Sequence, residues 1–113
     1  MATLFTKIIN GEISGEIVAQ NDDVVALRDI NPQAPTHVLI VPRREIASIN
    51  DVTPADAELI GKMVLMAQKI AHEKGFSEKG YRLVFNVGKH GGQTVDHIHL
   101  HLLGGRAMTW PPG

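Results

Sequence analysis

The stretch Val95-Asp96-His97-Ile98-His99-Leu100-His101-Leu102-Leu103 alternates imidazole and aliphatic side chains over most of its length. Side chains of an extended strand point to opposite faces in turn. His97, His99 and His101 therefore share one face, and Ile98, Leu100 and Leu102 share the other. The aliphatic face demands a covering layer, which leaves the histidine face as the functional or solvent-facing side. Neighbouring imidazoles on it are ~6.6 Å apart along the chain, twice the rise per residue. Three of the six histidines fall in these five positions. Histidine has no marked strand preference, so a merely polar surface does not account for them.

A strand with one apolar face needs partners beside it and a layer above it, and the flanking sequence supplies both. EIVAQ (Glu16–Gln20) and VVALRDI (Val24–Ile30) are β-prone runs separated by Asn21-Asp22-Asp23, the pattern of a hairpin. After the proline-punctuated loop NPQAPT comes HVLIVPR (His37–Arg43), almost continuously apolar, as in a strand covered on both faces. YRLVFNVG (Tyr81–Gly88) reads as a fourth strand and VDHIHLHLL as the fifth. Between the third and fourth lies the longest helix, capped by Thr53, with Pro54 at its first position and Gly75 at its end. Leu59, Met63, Met66 and Ile70 form its apolar stripe, in which the methionines read as core filler. LFTKIING at the start predicts a short N-terminal helix stopped by Gly11. Short turns between strands predict an antiparallel sheet. The expected fold is thus α+β: about five antiparallel strands, one long helix and a short N-terminal helix, forming a single domain over residues 1–113.

The 113 residues are 43% apolar and 20% charged, with a formal net charge of −1. That balance offers no electrostatic basis for binding nucleic acid or an anionic membrane. The chain contains no cysteine, so disulfides and thiolate metal sites are excluded. The opening MATLFTKIINGEI lacks the apolar core and small-residue cleavage site of a secretory signal. No apolar run approaches the ~20 residues that span a bilayer. The expected location is the cytoplasm.

Two chemistries compete for the histidine face. Zinc needs ligand atoms converging within ~2.1 Å of one ion, whereas the Cα atoms of His97 and His101 are ~13 Å apart on an extended strand. An adjacent pair with a third ligand such as His37 would be required. The other chemistry is catalysis on phosphate. Imidazole serves as nucleophile, acid or base near neutral pH. The preceding segment, Asn86-Val87-Gly88-Lys89-His90-Gly91-Gly92-Gln93-Thr94, has the glycines of an anion-cradling loop. It is not a Walker loop, since no Ser or Thr follows Gly88-Lys89 and a strand comes next.

GGQTVDHIHLHLLGGR resembles the signature of the histidine triad family, in which three histidines alternate with apolar residues. LFTKIINGEI, RDINPQAPTHVLIVPR and the closing GGR with WPPG extend the resemblance over nearly the whole chain, toward the Hint branch. The resemblance implies a homodimeric purine-nucleotide-binding phosphoramidase that needs no metal or other cofactor. It implies that His99 is the nucleophile, His101 its phosphate-contacting neighbour, and His97 and His37 supporting histidines. It implies that Asn86, Gly92, Gln93 and Thr94 lie beside the phosphate and Asp29 beside the ribose. Ile30, Phe5 and Ile8 would flank the purine, and Trp110 would influence the leaving group. Its substrates would be AMP or GMP joined to an amine through a P–N bond. Alternatives are a purine-nucleotide-binding module with incidental hydrolysis, or a diadenosine polyphosphate hydrolase. Thr94 stands where the branch usually carries serine, and Asp96 where a larger residue is common. The third histidine is kept in place of the glutamine of the nucleotidyl-transferase branch, which implies water as the second acceptor.

Overall fold

The computed structural model describes residues 2–113. Five strands form one antiparallel sheet: β1 (Ile17–Gln20), β2 (Val24–Arg28), β3 (Thr36–Pro42), β4 (Tyr81–Phe85) and β5 (Leu100–Gly104). Their order across the sheet is β1-β2-β3-β5-β4. The β1–β2 hairpin is set by Asn21, whose side-chain oxygen accepts from the N–H groups of Asp23 and Val24 at 3.0 and 2.9 Å. Asparagine commonly mimics a backbone turn in this way.

Alternation along the central strands builds two layers. Val24, Ala26, Val38, Ile40, Leu100 and Leu102 pack with Met63, Met66, Ala67 and Ile70 of α2 (Ala57–Glu73), as the apolar stripe predicts. On the opposite face Val25, Leu27, Leu39 and Val41 pack under Phe5 of α1 (Leu4–Ile9). Thr3 caps α1 by accepting from Thr6 N–H. Burying Phe5 contributes roughly 1.5–3 kcal/mol, which is how a six-residue helix comes to anchor there. β3 is therefore covered on both sides, as its continuous apolar run requires. Among the described residues no helix is long and apolar enough to cross a membrane.

Three boundaries differ from the sequence-based expectation. β5 begins at Leu100 rather than Val95. Ile98 N–H donates instead to the Ile46 carbonyl at 2.7 Å, so the segment after β3 holds residues that alternation assigned to the ladder. β4 ends at Phe85, and a single helical turn, α3 (Gly88–Gly91), occupies the loop where strand and open turn were expected. Gly88 and Gly92, at φ 67° and 81°, bracket that turn in the left-handed region open to glycine. Finally, α2 is preceded by a 3₁₀ turn at Pro54–Asp56, where Thr53 donates its N–H and hydroxyl to the Asp56 carboxylate at 2.9 and 3.2 Å.

Candidate active site

His99 lies just ahead of β5, with its ring edge-on to Phe5 at a centroid distance of 5.0 Å. Its Nδ1 is 2.7 Å from the His97 carbonyl oxygen, which can only accept, so Nδ1 carries the proton. The lone pair is consequently on Nε2, which has no protein partner among the described residues. Main-chain geometry thus sets which ring nitrogen is left free, with no side-chain partner for it among the described residues.

His97 is fully buried, which corrects the expectation that the whole histidine face is open to ligand or solvent. Its Nε2 donates to the Pro42 carbonyl at 2.8 Å, and its Nδ1 accepts from the Thr3 hydroxyl at 2.6 Å. Phe5 packs against this ring too, at 5.7 Å. Burial holds the His97 pKa below the ordinary imidazole value, consistent with a neutral ring held at both nitrogens. His97 and His99 nevertheless share the α1 face while Ile98 joins the α2 core, so the alternation itself is as expected.

The third histidine belongs to a second pair. His101 pairs with Leu39 across the β3–β5 ladder, and its ring centroid is 5.1 Å from that of His99. His37, on β3, accepts from the Gln33 backbone N–H at its Nδ1, 3.0 Å away, so its proton is on Nε2. That Nε2 lies 2.9 Å from His101 Nδ1 and 3.4 Å from Asp29 Oδ2. His101 Nδ1 accepts the bond, and its own proton sits on Nε2. Burial, then the neighbouring His99 and His37, push the His101 pKa down to about 4. Burial also lowers that of His37, against the opposing pull of Asp29. The neutral pair therefore sets an N–H donor, His101 Nε2, beside the His99 ring.

The remaining sequence candidates divide. Asp29 is brought to the His37–His101 pair, and it lines a concavity of about 270 Å³ with Glu16, Arg28, Ile30 and Pro32. Ile30 is 99% exposed. Ile8 packs beside the Phe5 cluster. Asn86 follows Phe85, the last residue of β4, which pairs with Leu100 at the start of β5. Gly92 N–H is already bonded to the Lys89 carbonyl at 3.1 Å. Gln93 is internally engaged: its amide accepts from Gly88 N–H and donates to the Ala47 and Val95 carbonyls. It shapes the loop. Thr94 has neither its N–H nor its hydroxyl in an internal hydrogen bond among the described residues. Trp110 is 82% exposed at the end of a tail tied down by Arg82 to the Thr109 carbonyl and by Arg106 to that of Gln33. The structure does not bring it to the triad.

The cluster with metal-ligand spacing is Asp29, His37 and His101, whose ligand atoms lie within 4.8 Å of one another. It includes one triad member rather than an adjacent pair. Nothing in the sequence analysis marked Thr3, Gln33 or Glu45 as belonging here.

An open antiparallel sheet with three alternating imidazoles running into one of its inner strands defines a histidine-triad site. Residues 10–108 match the HIT domain, and the chain belongs to that family. It is 53% identical over 106 residues to the purine nucleoside phosphoramidase of Escherichia coli K12, covering 94% of this chain and 89% of that one. The crystal structure of a HIT family hydrolase from Legionella pneumophila Philadelphia 1 superposes with a TM-score of 0.96 at 57% identity, over 99% of this chain and 100% of that one. A histidine triad protein from Clostridium difficile superposes with a TM-score of 0.90 at 40% identity, over 94% and 92%.

Proposed function

We propose that this chain hydrolyses the P–N bond of purine nucleoside 5'-phosphoramidates through a covalent histidyl-nucleotide. The observation that carries the reading is the Nδ1–H bond from His99 to the His97 carbonyl, which aims a lone pair rather than a proton outward. His99 Nε2 attacks phosphorus, the P–N bond breaks, and the amine departs with a proton taken from solvent. The neutral His37–His101 pair has no proton to spare, so His101 Nε2–H serves instead as a hydrogen-bond donor to the phosphoryl oxygens. The phosphorylated His99 ring is cationic, and the His97 carbonyl faces its remaining N–H. Water then attacks phosphorus and gives up a proton to solvent, the His99–P bond breaks with its electron pair returning to Nε2, and neutral imidazole is regenerated. Splitting the reaction into two displacements is the advantage of a covalent nucleophile.

Asp29, with lone pairs left beyond its bond to Asn31 N–H, is assigned to the ribose hydroxyls. Asn86 and Thr94 supply phosphate-side donors, and Phe5, Ile8 and Ile30 the apolar contacts of the base. The proposed compartment is the cytoplasm. In steady-state assays the specificity constant for an adenosine phosphoramidate is expected to exceed that for diadenosine polyphosphates, with activity unchanged by EDTA. A preference for the polyphosphate, or activity lost to the chelator and restored by zinc, would sink this reading.

The homodimer belongs to the same proposal. Val64 and Leu65 of α2 are 39% and 61% exposed, and β4 is an edge strand with half-buried residues throughout. A two-fold contact there buries apolar surface and an open strand edge together. Light scattering is expected to give twice the chain mass of 12.3 kDa. A monomer mass at every concentration rules the dimer out. In the dimer, Trp110 is assigned to the partner's site.

A further inference from the structure

We infer that Glu45 is a positioning residue for the nucleophile, acting through Thr3 and His97; the inference rests on the phosphoramidase reading for its kinetic part only. Glu45 follows β3 by three residues, in a segment that touches the His97–His99 backbone repeatedly. Pro42 accepts from the His97 ring at 2.8 Å, and Ile46 accepts from Ile98 N–H at 2.7 Å. Between those two anchors, Glu45 Oε1 accepts from Thr3 N–H at 2.9 Å and from the Thr6 hydroxyl at 2.7 Å. Thr3 in turn donates its hydroxyl to His97 Nδ1 at 2.6 Å. One carboxylate oxygen therefore ties the first turn of α1 to the buried imidazole. The bond from Thr3 N–H is also what most lowers the Glu45 pKa.

The consequence reaches His99 by two routes. The His97 carbonyl receives the His99 Nδ1 proton, so a rotation of His97 moves the atom that sets the nucleophile's tautomer. Phe5, in the first turn of the same helix, is the edge-on floor of both rings. Releasing Thr3 leaves His97 Nδ1 buried without its donor, and the ring can regain a partner only by changing tautomer or orientation. Either change loosens the aim of His99 Nε2, and small misplacements of reacting groups are costly.

Glu45→Ala is expected to lower kcat about tenfold while KM stays within about twofold, because the lost interaction orients the nucleophile rather than binding substrate. Glu45→Gln is expected to restore kcat, since its amide oxygen accepts both bonds. Long-range ¹H–¹⁵N correlation spectra of the histidine rings supply a readout independent of turnover. His97 should show a protonated Nε2 and bare Nδ1 in the native protein and in Glu45→Gln, and a mixed or broadened pattern in Glu45→Ala. Native kcat and a native His97 pattern in Glu45→Ala overturn the inference, as does an equal fall in Glu45→Gln. If Glu45→Ala does not fold, Thr3→Val against Thr3→Ser makes the same comparison. Equal kcat and equal His97 spectra in those two overturn it. Absence of phosphoramidase activity altogether would sink the functional reading and leave the spectra to decide the role of Glu45.

Discussion

Replacing His99 with alanine is expected to reduce kcat/KM for an adenosine phosphoramidate by on the order of 10⁴-fold, equivalent to about 5 kcal/mol of transition-state stabilisation. The magnitude follows from what remains. His101 still offers its Nε2–H, and Asp29 and Phe5 still line the nucleotide's place, so binding of AMP should change far less than turnover. Water would have to attack phosphorus directly, without a lone pair held behind it by the His97 carbonyl. The covalent route is then closed, and no residue nearby reopens it: His97 is committed at both nitrogens, and His37 is bonded at both of its own. Acid-quenched native protein mixed with substrate should carry a nucleotidyl group detectable by mass spectrometry, and the variant none. The buried ring leaves a void beside Phe5, so a stability loss of about 1–3 kcal/mol is expected as well and must be measured alongside. Equal turnover by the two proteins would remove His99 from the mechanism.

Period-two alternation in VDHIHLHLL was enough to place the aliphatic residues in the α2 core and the imidazoles opposite them. The near-continuous apolar run of β3 likewise foretold a central strand, and the stripe on α2 its buried face. Alternation could not tell where the ladder stops. Ile98 N–H finds the Ile46 carbonyl, a partner 52 residues distant in sequence, and no local signal announces such a bond. The same limit hid the division of labour among the histidines. Equal spacing makes them look alike, yet His97 is pinned by a carbonyl and a hydroxyl, His99 by a neighbour's carbonyl, and His101 by His37. Gln93 fits an anion loop by its position, but its amide is drawn to the Val95 carbonyl and to that of Ala47 in the segment after β3. Acceptors decide these roles, and acceptors on the main chain carry no residue signature.

Acidification from pH 7 to pH 4 is expected to cost this protein about 2–3 kcal/mol of folding stability through His101 alone, with partial solvent access already allowed for. Three imidazoles, His37, His97 and His101, have folded-state pKa values below the ordinary imidazole value of 6.5, and burial is the leading cause in each. The direction follows from which state holds the proton. Above about pH 7 both folded and unfolded chains carry these rings neutral, and they contribute no slope. As pH falls below 6.5 the unfolded chain takes up protons that the folded site refuses, so the unfolded state gains. The loss continues until pH reaches about 4, where folded His101 also protonates, and below that its contribution is constant. His37 and His97 add in the same sense. By contrast, Glu45 and Asp56, whose carboxyls are held below their usual range by hydrogen bonds, stabilise the fold above the carboxylate range and lose that contribution only in stronger acid. The two effects thus occupy different windows. Melting temperature should drop by about 10 °C between pH 7 and pH 4, given about 4 °C per kcal/mol for a domain of this size. His101→Asn, which has no proton to gain, should show a shallower slope across that window. An unchanged slope in the variant would mean that His101 takes up its proton at the same pH folded and unfolded, and burial would then not be what keeps its ring neutral.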